Sequence, residues 1–118
     1  MAGEELKDAL QDATEVELTV TGRRSGNESS RPIWFVEDGD RLLLLPVGGS
    51  DSNWYRNAVK TPEVQLAGDG AELRATAKRV EDPAGVAEVL EKFGEKYGAE
   101  RVAEYYPKQD AALEVPLS

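Results

Sequence analysis

The sequence predicts an α+β fold, with about six mainly antiparallel strands curled into a barrel and two or three helices. Three observations predict it. Short apolar runs alternate with a period of two, as Val16, Leu18 and Val20 do against Glu15, Glu17 and Thr19. Asp38-Gly39 and Gly68-Asp69-Gly70 each fall between two such runs, and Asp-Gly accepts the positive φ of a tight hairpin. Helical spacing is confined to short stretches, so hairpins dominate the connections.

In order, Leu6, Ala9, Leu10 and Ala13 give a short acidic helix, so residues 1–14 read as a helical extension of a single domain, 1–118. Residues 15–21 are a half-buried strand. A polar, Gly-containing loop is expected from Gly22 to Arg31, then a buried strand through Ile33, Trp34, Phe35 and Val36. Leu42 to Leu45 return from the first hairpin. Gly48-Gly49-Ser50-Asp51-Ser52 reads as a loop ending in helix-cap residues, either Asp51 or Ser52. Trp54, Tyr55, Ala58 and Val59 give the next helix one side to bury, and Pro62 stops it. Val64 and Leu66 pair across the second hairpin with Leu73, Ala75 and Ala77. Asp82-Pro83 starts a helix with Asp as N-cap and Pro at its first position. Val86, Val89, Leu90, Phe93 and Tyr97 follow its spacing, and Gly94 and Gly98 predict an end or bend. Leu113, Val115 and Leu117 form a last strand.

Composition excludes several chemistries. The chain has 118 residues, no Cys and no His. That removes disulfides, thiolate metal sites, thiol nucleophiles, imidazole acid–base catalysis and the Ser-His-Asp triad. With 14 Lys+Arg against 23 Asp+Glu the formal charge is -9, which repels nucleic acid. No run of 18 apolar residues predicts a membrane span, and the acidic start lacks the features of a signal peptide, so a cytoplasmic protein is expected. No carboxylate pair or calcium-loop pattern marks a catalytic or metal site, so an enzyme of this composition would draw on a cofactor.

The charge is uneven. Residues 1–17 carry six acids and one base, whereas 18–36 carry Arg23, Arg24 and Arg31 against Glu28 alone. Residues 51–60 are also weakly basic. The loop Thr21-Gly22-Arg23-Arg24-Ser25-Gly26, closing at Arg31-Pro32, is therefore a basic spot in an acidic protein. Guanidinium forks match phosphate or carboxylate oxygens and glycine lets backbone N–H groups approach them; equally, these arginines can pair with surface acids. Gly48-Gly49-Ser50 before the short helix offers N–H groups to an anion or forms an ordinary turn. Trp34, Trp54 and Tyr55 line a slot for a flat ligand or pack in the core. Tyr105-Tyr106-Pro107 closes a pocket or forms a packed turn.

Taken together, Leu18-Thr19-Val20-Thr21-Gly22-Arg23-Arg24-Ser25-Gly26, Arg31-Pro32-Ile33-Trp34-Phe35-Val36-Glu37-Asp38-Gly39-Asp40, Gly48-Gly49, Trp54-Tyr55-Arg56-Asn57 and Thr61-Pro62-Glu63-Val64 resemble the deazaflavin-dependent nitroreductase family over about residues 15–80. The resemblance implies a split β-barrel of the flavin-binding kind, and coenzyme F420 as cofactor with FMN as the alternative. It implies that Arg23, Arg24, Ser25 and Gly26 hold the cofactor's phosphate and acidic tail, with Arg31 adding charge. Pro32 and Trp34 would face the ring, Gly48, Gly49 and Ser50 would lie near ring or phosphate, and Trp54, Tyr55 and Asn57 would shape the site. Tyr105 or Tyr106 would donate to a substrate. The implied activity is hydride transfer from reduced F420 to a quinone, nitroaromatic or other electron-poor molecule, with no side chain as nucleophile and no metal. Two alternatives stand beside it: a flavin- or deazaflavin-binding protein without turnover, and a ligand-free acidic interaction module. Split barrels often pair, and a homodimer could complete the cofactor site across its interface.

Overall fold

A computed structural model of the chain describes residues 2–117; Met1 and Ser118, the ends of the expected domain, lie outside the described residues. The elements are α1 (Ala2–Ala9), β1 (Glu15–Thr21), β2 (Glu28–Asp38), β3 (Arg41–Leu44), a 3-10 turn (Gly49–Asp51), α2 (Asn53–Lys60), β4 (Glu63–Gly68), β5 (Ala71–Thr76), β6 (Lys78–Val80), α3 (Pro83–Tyr97), α4 (Ala99–Tyr105) and β7 (Ala112–Pro116). The seven strands form one antiparallel sheet in the order β5-β4-β1-β2-β3-β7-β6.

The long β2 joins the two halves of this sheet. Its residues 28–34 pair with β1 and its residues 35–38 pair with β3. The edge strands β5 and β6 are consecutive in the chain, separated by Ala77 alone, whose N–H donates to the Pro62 carbonyl at 2.7 Å. One bent stretch of chain thus serves both edges and curls the sheet into a half-barrel compatible with a split barrel. The α+β antiparallel expectation is met.

Alternation explains the two apolar layers. Val16, Leu18 and Val20 point inward with Leu42, Leu44, Leu113, Val115 and Leu66. Leu43, Leu45 and Ala112 point the other way, under Val89, Phe93, Val102 and Tyr106 of the C-terminal helices. The unbroken Leu42–Leu45 run is therefore a strand buried on both faces, as its lack of alternation requires. The α1 helix closes one end of the barrel through Leu6, and Leu10 follows it into the same core.

Local expectations hold where the chemistry is strong. Asp69 (φ 45°) and Gly70 (φ 84°) are the two central residues of the Gly68–Ala71 hairpin, both in the left-handed region that a type I′ turn needs. The Asp82 carboxylate accepts from the Gly85 N–H at 2.8 Å, capping α3. Three readings need correction. The loop expected over Gly22–Arg31 ends at Asn27, because residues 28–31 pair with β1 despite being exposed. The helix does end at Gly98, as expected, but a fourth helix, α4, follows it and a short β6 adds a seventh strand. Ser52 stands at the N-cap of α2, as one of the two expected residues, but its side chain makes no capping bond: Ser52 Oγ accepts from the Gly48 N–H at 2.8 Å instead.

Candidate anion-binding pocket

The turn after β1 is built by its own backbone. Gly22 N–H donates to Asn27 O at 2.8 Å, Gly26 N–H donates to Gly22 O at 2.9 Å, and Asn27 N–H donates to Ser25 Oγ at 3.1 Å. Arg23 is turned away from these bonds and toward α2. Its backbone N–H (3.1 Å) and its Nη1 (2.8 Å) both donate to Asn57 Oδ1. Lys60 Nζ reaches the Arg23 carbonyl at 3.5 Å. Arg23 is thus half-buried and clamped, whereas Arg24, Ser25 and Gly26 are exposed.

Between this turn and α2 lies a pocket of about 360 Å³, lined by Arg23, Arg56 and Lys60, by Ser50 and Glu81, and by Tyr55 and Val59. Arg56 and Lys60 stand one helical turn apart, so α2 presents both cations along one side. Tyr55 is buried, and its phenol donates to Glu81 Oε2 at 2.7 Å. Burial first, and the bond to Glu81 second, push this phenol well above its ordinary range, so it remains a proton donor. Trp54 is buried in the barrel core with its ring edge-on to Tyr55 (6.3 Å, 74°) and supports the pocket from behind.

The second expected anion loop is already engaged. Ser50 donates from its N–H (2.9 Å) and its Oγ (2.6 Å) to the two oxygens of Asp110. Those two bonds hold the Asp110 carboxyl below its usual range. Gly49 sits at φ 59°, and a Cβ there would run into Asp110 Oδ1 and come within 2.7 Å of Lys108 Cγ. Lys108 in turn grips Asp51, which also holds Arg56 at 3.2 Å. The Lys108 bond is the first cause of the lowered Asp51 carboxyl.

Trp34 lies elsewhere. It stands opposite Glu15, six residues along the β1–β2 ribbon from the Thr21–Glu28 pair, or about 20 Å at the rise of a strand. Tyr97 covers one indole face (4.2 Å, 9°) and Tyr105 the other (4.5 Å, 13°). Tyr97 is fixed through its hydroxyl, which shares its one proton between the carbonyls of Phe35 and Thr14, both at 2.8 Å, and accepts from the Phe35 N–H at 3.1 Å. Tyr106 is buried among Phe93 and Trp34, while Tyr105 is 48% exposed. Pro32 and Arg31 lie on the exposed half of β2.

Of the expected site residues, the structure brings together Arg23, Ser50, Tyr55 and Asn57, with Gly48 and Gly49 in the adjoining loop. Trp34, Tyr105 and Tyr106 form a separate aromatic stack. Sequence reasoning missed Arg56, Lys60, Val59, Glu81 and Asp110. The weak positive charge of residues 51–60 and the i,i+4 spacing of Arg56 and Lys60 carried a signal for that pair. Nothing local marked Glu81 or Asp110, which reach the site from 26 and 60 residues away in the chain.

The sequence model of a family described as "Uncharacterized protein conserved in bacteria (DUF2255)" matches residues 5–114. Among solved structures, an F420-H2 dependent reductase (FDR-A) superimposes with a TM-score of 0.68 at 23% identity, covering 87% of this chain and 94% of that one. A structure described as a domain-swapped dimer gives a TM-score of 0.70 at 25% identity, over 88% of this chain and 81% of the other. The haem storage protein HutZ from Vibrio cholerae gives 0.73 at 20% identity, over 96% and 87%. The fold is therefore shared by reductases and by binding proteins. Among the described residues no helix is long and apolar enough to cross a membrane.

Proposed function

The chain belongs to the DUF2255 family, and from that premise and its pocket we propose a flavin-type oxidoreductase that holds F420, with FMN as the alternative, and reduces a quinone, nitroaromatic or similar small molecule in the cytoplasm. One observation carries this reading: in a chain of formal charge -9, Arg23, Arg56 and Lys60 converge on one pocket with a partly apolar wall. Its volume falls in the range of small-molecule sites. The donor set fits the anionic end of such a cofactor. Arg56 and Lys60 would bind it by charge-assisted bonds, Arg23 would frame it from its clamp on Asn57, and Tyr55 would keep a phenolic proton at the wall. Trp34 does not fit a ring-facing role within one chain, since tyrosines cover both indole faces. A second copy of the chain would then complete the ring side, a reading that the domain-swapped relative supports. The reduced cofactor supplies the hydride, and the protein positions it and excludes water.

The covered indole favours one second reading: a protein that binds the cofactor without turnover. Fluorescence titration with F420 and with FMN tests the shared part. Binding that falls about ten-fold or more in Arg56→Ala with Lys60→Ala supports the pocket, since each charge-assisted bond contributes about 1.5–3 kcal/mol. Absence of binding by either cofactor overturns both readings and leaves the interaction module. Bound F420 with no quinone reductase activity selects the second reading.

A further inference from the structure

Glu81 lines the pocket directly, and a second carboxylate from a distant segment, Asp110, bonds to the Ser50 loop at its edge. Asp110 lies in the exposed stretch 107–110 between α4 and β7, outside any helix or strand. Both of its oxygens are taken by Ser50, a pocket-lining residue. Asp110 lines the neighbouring pocket, and Glu81 lines both, so the two pockets adjoin. The approach of Asp110 depends on Gly49, where any Cβ would collide with Asp110 Oδ1. A second tie, Lys108 to Asp51, fixes the same stretch to the same loop and holds Asp51 against Arg56.

We propose that Asp110 is a specificity-determining residue: it occupies the Ser50 donors and sets a fixed negative charge beside the pocket, so that the pocket takes a monoanionic phosphodiester or carboxylate and discriminates against the dianionic phosphate monoester. The inference rests on the proposed pocket. Two physical effects act together. A ligand phosphate cannot use the Ser50 N–H and Oγ while Asp110 holds them. The carboxylate also repels a ligand in proportion to ligand charge, which is about -1 for a diester and -1.5 to -2 for a monoester at neutral pH. Lys60, and Arg56 through the guanidinium nitrogen that Asp51 and the Ser50 carbonyl leave open, are then the cations that a ligand can engage. At the phosphate group itself the residue therefore favours a diester, as in F420, over a monoester, as in FMN; the carboxylates of the F420 tail add charge that other groups must meet.

The test compares three flavins that share one ring system: riboflavin, riboflavin 4′,5′-cyclic phosphate (a diester) and FMN (a monoester). Each is titrated by fluorescence against the wild-type chain and Asp110→Asn. The variant is expected to gain about five-fold in FMN affinity, less in cyclic phosphate affinity and nothing for riboflavin. An unchanged ratio of FMN to cyclic phosphate affinity overturns the proposal. If no flavin binds either protein, the proposed function fails, and inorganic phosphate still decides this point through the Ser50 and Arg56 amide resonances of the two 15N-labelled proteins. Phosphate-induced shifts that are larger in Asp110→Asn support the role of Asp110. Equal shifts, or none in either protein, overturn it. Asp110→Ser, smaller and uncharged, repeats the comparison should Asp110→Asn fail to fold.

Discussion

Replacing Asn57 with Ala removes the acceptor that holds the basic turn to α2. Its Oδ1 takes two bonds from one residue, the Arg23 N–H at 3.1 Å and the Arg23 Nη1 at 2.8 Å. A neutral bond contributes about 0.5–1.5 kcal/mol and one from a charged group about 1.5–3 kcal/mol. Both are only partly buried, so water recovers some of the loss, and about 2 kcal/mol remains. With an unfolding entropy of about 2.1 cal/mol/K per residue, a chain of this length loses about 8 °C in Tm. Thermal melts by circular dichroism measure this directly. Arg23→Ala and the double variant complete a cycle, in which the double variant should cost little more than Asn57→Ala alone, since Arg23→Ala leaves the backbone bond to Asn57 in place. A Tm drop below about 2 °C, or fully additive effects, would refute the claim that Arg23 is a clamped scaffold residue.

Four further outcomes follow. Gly49→Ala should destabilise by about 1–3 kcal/mol in urea titrations, because φ is 59° and the Lys108–Asp110 stretch must move away; trypsin cleavage after Lys108 should become faster, and an unchanged rate would count against the tie of Lys108 and Asp110 to the Gly49 loop. Tyr105→Ala should cost about 1 kcal/mol and shift Trp34 emission to the red, since a stacked ring is removed from one indole face; an unshifted spectrum in a Trp54→Phe background would contradict the stack. In alkali, burial holds Tyr97 up to about 12 and raises Tyr55 and Tyr106 in the same direction. Raised phenols bind protons that the unfolded chain has released, so stability is full below about pH 10 and is lost as pH rises toward 12; absorbance at 295 nm should show late, cooperative ionisation. In acid, Asp38 (held down first by its bond to Arg41) and Asp110 are both lowered from 3.8, so the stability they contribute is present above that value and lost as pH falls through their folded values; Asp38→Asn with Asp110→Asn should flatten acid melts below pH 4.

The barrel was legible because its signals are local. Alternation in 15–21, the two Asp-Gly turns and the Asp82-Pro83 start each depend on a few adjacent residues. The start of β2 was not, since Glu28 to Arg31 are polar and exposed and are held only by backbone pairing with β1. The same limit applies to the site. Arg23, Ser50, Tyr55 and Asn57 could be named from their motifs, but the roles of two of them changed on folding. Arg23 became a clamp through Asn57, and Ser50 was taken by a carboxylate 60 residues on. Trp34 alternates with Phe35 along β2, and sequence could not say which face each would take. The structure turns Phe35 into the barrel core and Trp34 against the C-terminal helices.

The most direct test of the pocket is chemical-shift mapping of the 15N-labelled chain with F420. The account predicts saturable shifts at the amides of Arg23, Ser50, Arg56 and Lys60, abolished in Arg56→Ala with Lys60→Ala. Shifts confined to the region of Trp34 and Tyr105, with the α2 amides unmoved, would contradict it.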